Sequence, residues 1–213
     1  MDRLLIVGAG GFGREVLAWA SELPSKGREW EIGGFLDQNP HALEDYSIDV
    51  PVLGDPLKFE LADSDRLVLA VGDPTTKLEL YGELKSRGAR FATLVHPTAV
   101  VGPACELGEG CILCAWVVLT TNVRVGNVVH FNCFSGCGHD AIVGDGCTLG
   151  ARADVTGGAR LGRGVLLGTH ACVAPGVTVG DRGSVGACSL ALGSVAPGAT
   201  ALGVPARTVF QKG

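Results

Sequence analysis

The spacing of hydrophobic positions changes near residue 93. Before that point, "RLLIVGAG" (3–10) is a short apolar run that ends in glycine, which suits a strand buried on both faces. Val16, Leu17, Trp19 and Leu23 then fall at helical spacing. "WEIGGFLDQNP" gives a second strand ending at Asp37, "DRLVLAVGDP" (65–74) a third, and "RFATLVHP" (90–97) a fourth. Between the last two, "TTKLELYGELKSRG" (75–88) is a helix stopped by Gly88. Strands alternating with helices predict an α/β unit with a parallel sheet over residues 1–92.

From there to the end, over 93–213, the period is six. Every sixth residue from Val101 through Leu107, Leu113 and Leu119 to Val185 is apolar. The residue after it is usually glycine, as at 102, 108, 126, 138, 144 and 150. The fifth position is small or branched throughout, as in Cys105, Cys111, Val117, Val123 and Cys147. A hexapeptide period is the signature of a parallel β-helix, three hexads to a triangular coil. The apolar residue should point inward, and the glycines are expected to take corner conformations that other residues reach only with strain. The fold class predicted is therefore a Rossmann-like α/β N-terminal domain (1–92) followed by a parallel β-helix (93–213).

Composition narrows the choice. Of 213 residues, 46% are hydrophobic and 18% charged, and 33 are glycine. No apolar run approaches the ~20 residues of a membrane-spanning helix, and "MDRLLIVGAGGFG" lacks the length and cleavage site of a secretory signal. A cytoplasmic chain is expected. A net charge of -5 gives no basic face for nucleic acid. The eight cysteines raise the question of metal or disulfides. The register answers part of it: Cys105, Cys111 and Cys147 take the small slot and Cys137 the apolar slot, as core-filling thiols. The remaining four, Cys114, Cys133, Cys172 and Cys188, have no CxxC spacing among themselves, and no metal site is expected.

Two clusters carry candidate chemistry. Gly8, Gly10 and Gly13, with Gly11 and Phe12 between them, fit G-x-G-x-x-G between a strand and a helix. Such a loop brings backbone amides and a helix N-terminus to a phosphate group; a plain tight turn is the bland alternative. Asp37 ends the second strand where an acid would reach a ribose or base, and Gly72 and Asp73 follow the third strand into the same crevice. Residues 1–92 are short for a dinucleotide fold, which favours a single nucleotide-type ligand. The second cluster is His139 followed by Asp140, a pair that the hexad repeat does not require.

The hexads, joined to a "GAGGFG" α/β unit and to "GHDAIVG" (138–144), resemble the NeuD/PglD-type sugar O- or N-acetyltransferases, with a left-handed β-helix. The resemblance implies acetyl-CoA as co-substrate, a nucleotide-linked amino sugar as acceptor (a UDP-bacillosamine precursor or GDP-perosamine type), and a homotrimer. It carries His139 over as general base, with Asp140 as its helper; histidine suits the task because its ordinary pKa lies near neutrality. It further implies the Gly157 amide, one coil beyond His139, as oxyanion donor and Asn132 as an acceptor contact. Thr148, Gly157, Thr169 and Ala187 are implied as coenzyme contacts, and Arg207 of "GVPAR" as a partner for a coenzyme phosphate. His130 and His170 are expected on the surface and His96 at the junction of the two units. Two alternatives stay open: O-acetylation of a sugar of the sialic-acid type, and a β-helix that binds nucleotide sugars without catalysis.

Overall fold

The computed structural model describes residues 2–23 and 30–211. Its first part is built from β1 (Asp2–Val7), α1 (Gly11–Glu22), β2 (Trp30–Leu36), β3 (Val52–Gly54), β4 (Asp65–Leu69) and α2 (Pro74–Ser86). The four strands form one parallel sheet in the order β3-β2-β1-β4. Leu4, Leu5, Ile6, Leu67, Val68 and Leu69 are buried, as continuous apolar runs in a sheet covered on both faces require. Two expectations need correction. The short strand β3 was not recognisable, since its Val-Leu-Gly is too brief to show a period. The run 90–97 is not one strand: Phe91 makes a single bridge to Leu67, whereas Leu94–Val95 opens the solenoid by pairing with Ile112–Leu113.

The second part winds as a left-handed parallel β-helix of two-residue strands. They stack into three flat faces. Face one runs from Leu94–Val95 through His130–Phe131 to Ser184–Val185. Face two runs from Val100–Val101 through Gly136–Cys137 to Leu190–Ala191. Face three runs from Glu106–Leu107 through Ile142–Val143 to Thr178–Val179. Successive coils pair eighteen residues apart, as in Phe131 with Leu149 and Cys137 with Val155. The inward rows Leu113, Phe131, Leu149, Leu167 and Leu119, Cys137, Val155, Val173 form the core. Each such side chain, fully buried, contributes about 1.5–3 kcal/mol. The period extends one hexad beyond the sequence estimate at each end, to Val95 and Ala191.

The hexad glycines act differently from expectation. The left-handed conformation recurs two residues after that hexad position, whether or not it holds glycine, at Ala104, Trp116, Asn122, Phe134, Asp140 and Arg152 among others, with φ between 54° and 61° at these six. The glycines are needed for space. A Cβ on Gly102 would stand 1.5 Å from the Thr120 carbonyl oxygen, and one on Gly138 would stand 2.7 Å from the Gly157 nitrogen. They let one coil lie directly on the next.

At the C-terminal end the repeat shortens, so that Val185 pairs with Ala201 in the strand Ala199–Gly203. That strand then turns back antiparallel into Ala206–Gln211, the outermost strand of face one. The α/β unit lies on the outside of face one, where Ile112, His130 and Thr148 are buried beneath it. Its helix α1 packs with Cys114 and Cys133 at the corner between faces one and two. Leu78 of α2 stands against Gly146 at the corner between faces three and one, and Tyr81 hydrogen-bonds Glu109 of that corner.

Candidate active site

His139 stands at the corner between faces two and three, the edge of the prism opposite face one. Its side chain is 67% exposed. Nδ1 lies 2.8 Å from Asp140 Oδ2. Asp140 adopts the left-handed backbone (φ 60°), which aspartate tolerates better than most residues, and this turns its carboxylate back toward the ring. The Asn122 amide one coil below donates to Asp140 Oδ1 at 3.3 Å. The hydrogen bond from His139 holds the Asp140 carboxyl below the usual carboxylate range, so it is charged at neutral pH. A carboxylate on Nδ1 fixes the tautomer in which Nε2 carries the lone pair.

Nε2 leans over Gly157. A Cβ there would lie 2.6 Å from it, so only glycine leaves the ring its place. The Gly157 carbonyl accepts from Gly176 N at 3.1 Å, but its N–H joins no coil-to-coil hydrogen bond among the described residues. Gly138, lacking a side chain, leaves that N–H uncovered. Base nitrogen and free donor thus stand side by side on an open corner.

The glycine loop forms a second focus. Gly8 has φ +99° and makes the tight turn out of β1; a Cβ on Gly13 would lie 1.9 Å from the Gly8 carbonyl oxygen, which forces α1 close to the strand. Space beside Gly10 is empty to 4 Å and Gly11 meets only the tip of Arg14. No side chain caps the N-terminus of α1. The arrangement matches the division of labour in a phosphate-binding loop: one glycine for the turn, one for ligand approach, one for packing. Asp37 braces this loop, accepting from Ala9 N at 2.8 Å through Oδ2 and from Asn39 N at 2.8 Å through Oδ1.

Several expectations change. Asp73 is the N-cap of α2, accepting from the Thr76 amide at 2.8 Å and hydroxyl at 2.7 Å, which lowers its pKa. Thr148 is buried and its hydroxyl is committed: it accepts from Lys77 Nζ at 2.8 Å and donates to the Gly72 carbonyl at 2.9 Å. No surface is left at Thr148 for a coenzyme. His130 is not on the surface either. It is fully buried on face one against Phe12, ring centroids 5.1 Å apart. Neither ring nitrogen makes a hydrogen bond of ordinary geometry. Burial and the neighbouring Lys77 depress its pKa well below the ordinary value, only partly opposed by the Leu69 carbonyl. Lys77 itself escaped the sequence reading, because nothing in "TTKLEL" marks a lysine for burial. Its Nζ also donates to the Cys147 carbonyl at 3.1 Å, and desolvation lowers its pKa to about 7.

Other residues fall where expected. His96 is buried at the junction, bonded to Thr98 and to Glu22 of α1. His170 and Thr169 are exposed. Cys111, Cys137 and Cys147 are buried thiols and Cys105 is half-buried; all eight cysteines are free. Asn132 stands at the face one to two corner without left-handed backbone, its amide donating to the Leu149 carbonyl at 3.3 Å. Thr169 and Ala187 stand at that same corner one and more coils higher. The candidates therefore divide between two edges of one chain: His139, Asp140 and Gly157 on one, and Asn132, Thr169, Ala187 and the side bearing α1 on another.

A hexapeptide β-helix with a glycine-loop α/β unit in front, and a His-Asp pair on its free corner, defines the class. Residues 3–84 match the PglD N-terminal domain family. The acetyltransferase domain of PglB from Neisseria gonorrhoeae FA1090 superposes with TM-score 0.88 at 27% identity, over 98% of this chain and 100% of that one. PerB from Caulobacter crescentus, in complex with CoA and GDP-perosamine, gives TM-score 0.85 at 29% identity, over 100% and 98%. The GDP-perosamine N-acetyltransferase of Escherichia coli O157:H7 is 26% identical over 109 residues. That match spans 51% of this chain and about half (49%) of the curated relative. These matches make the chain similar to the NeuD/PglD-type sugar acetyltransferases.

Proposed function

We propose that the protein is an acetyl-CoA-dependent N-acetyltransferase acting on a nucleotide-linked amino sugar. The observation that carries the proposal is the corner where His139 Nε2, oriented through Nδ1 by Asp140, stands beside the unclaimed Gly157 N–H. The sugar amine attacks the thioester carbonyl carbon. His139 Nε2 takes the proton that the amine loses, Asp140 steadies the imidazolium, and the Gly157 N–H meets the oxyanion of the tetrahedral intermediate. Collapse breaks the carbon–sulfur bond, and the proton passes from His139 to the departing thiolate. Amide and free thiol are the products.

Residues 1–92 act in this scheme as a Rossmann-like nucleotide-sugar domain and 93–213 as the acyltransferase domain. Gly8, Gly10, Gly11 and Gly13 hold the diphosphate, with Asp37 fixing the loop. That domain covers face one, whereas His139 lies on the opposite edge. One chain therefore does not bring its own nucleotide site to its own base. A homotrimer resolves this if the base of one copy serves the acceptor held by the next. The stacked, exposed Trp116 and Phe134, with Val118 beside them, offer an apolar contact for a second copy. N-transfer is favoured over O-transfer by the relatives, which include a perosamine N-acetyltransferase bound to CoA and GDP-perosamine.

The test follows free thiol released from acetyl-CoA with UDP-, GDP- and dTDP-linked 4-amino sugars. Release with one of them supports the assignment. Nucleotide-sugar binding with no thiol released from any acceptor would leave a binding module instead.

A further inference from the structure

The corner between faces two and three repeats one backbone conformation coil after coil. Ala104, Asn122, Asp140, Gly158 and Gly176 follow one another at eighteen-residue steps, with φ between 54° and 69° at all five. Backbone bonds between coils hold this column in register. The Asn122 N–H donates to the Pro103 carbonyl at 3.1 Å, the Asp140 N–H to Thr121 at 3.1 Å and the Gly158 N–H to His139 at 2.8 Å. Same conformation and same register set the side chains one above the other. Above Asp140, Gly158 brings no side chain; below Asn122, Ala104 brings a methyl group. Asn122 is thus the member of the column that reaches the Asp140 carboxylate: its amide donates to Oδ1 at 3.3 Å, while His139 Nδ1 lies 2.8 Å from Oδ2. Arg124, Arg160 and Glu106 line the same recess on face three. Arg124 stands 3.9 Å from Glu106, and neither arginine forms an ion pair with Asp140 among the described residues.

An exposed aspartate held at one oxygen is free to swing away from the ring, and Nδ1 then loses the acceptor that fixes its proton. A second anchor on the other oxygen sets the plane of the carboxylate. A neutral amide does this without competing for the charge; a guanidinium in the same place would draw the carboxylate off the imidazole. We infer that Asn122 is a positioning residue for the transfer reaction, holding Asp140 against His139 Nδ1 so that the lone pair stays on Nε2 beside Gly157. It acts through Asp140 alone and rests on the assignment of His139 as the base.

Two variants of the full chain separate positioning from a role in the turn. Asparagine and aspartate both suit left-handed backbone, so a turn role alone would leave Asn122→Asp near wild type and make Asn122→Ala the worse of the two. Positioning reverses that order. Asn122→Ala, which the column accepts at Ala104, should lower kcat about tenfold, the low end for a hydrogen bond to a charged group. Asn122→Asp should fall further, because a like charge then faces Asp140. KM for both substrates should stay unchanged. In an Asp140→Ala background Asn122→Ala should cost nothing more, since the contact is already gone. Nitrogen NMR of the neutral His139 ring reads the same effect without turnover: the Nδ1–H tautomer in wild type and a mixture of tautomers in Asn122→Ala. Wild-type activity in Asn122→Asp, additive losses in the Asp140→Ala background, or an unchanged tautomer in Asn122→Ala would overturn the inference. A tautomer change in a protein that acetylates no amino sugar would instead sink the proposed reaction and leave the positioning of the ring by Asn122 standing.

Discussion

His130 and His139 belong to the same coil, nine residues apart, yet one is fully buried and the other is the most accessible part of its corner. The hexad repeat treats both alike. The difference comes from cover: the α/β unit lies over face one and takes His130, Thr148 and Lys77 out of water, while the opposite corner stays bare. Burial disfavours the charged forms of His130 and Lys77, while the bare histidine stands open to solvent with a carboxylate at its back.

The sharpest test of this contrast is His139→Ala, expected to cut acetyl transfer by about 10²–10⁴-fold, the range for one general base, with unchanged thermal stability. Activity near wild type would remove the base assignment. Next comes Gly157→Ala, whose Cβ would collide with Nε2. Displacement of the ring should cost roughly tenfold or more in kcat, a smaller effect than losing it, with acetyl-CoA affinity retained.

On the covered side the readout is stability. Lys77 has a pKa of about 7 in the fold against 10.5 for the free side chain. Between those values the unfolded chain binds more protons than the folded one, so stability rises as pH goes from about 7 toward 10.5 and is flat below. Lys77→Met should flatten that rise, measured as urea midpoints at pH 7 and pH 9. A slope that persists would mean that another group carries it. The smallest effect is expected from Asp37→Ala, a several-fold increase in KM for the nucleotide sugar from the loss of a loop brace worth ~1–2 kcal/mol, with KM for acetyl-CoA unchanged. Equal shifts in both constants would separate the glycine loop from the acceptor.

Much of the solenoid was legible because its period is imposed by geometry at every coil: Phe131, Cys137 and Val143 point inward as counted. The role of its glycines was not. A positive φ at Trp116, Phe134 or Arg152 leaves no mark on residue type, because the stacked coils impose it. The requirement at Gly102 and Gly138 is a neighbour's backbone eighteen residues away. His139 and Asp140 stood out because the repeat had no use for them. Lys77, His130 and Thr148 were misjudged or missed for one reason: their environment is made by two units meeting, about seventy residues apart in sequence for Lys77 and Thr148.

The reversed strand at the C-terminus has a wider consequence. A parallel solenoid ends in an open row of backbone donors and acceptors that could template another coil from another molecule. Here the last strand on face one, Ala206–Gln211, runs against the winding direction and closes the row with the wrong polarity for continuation. On this face another parallel coil cannot continue the stack in its own direction, because the strand it would meet runs the opposite way.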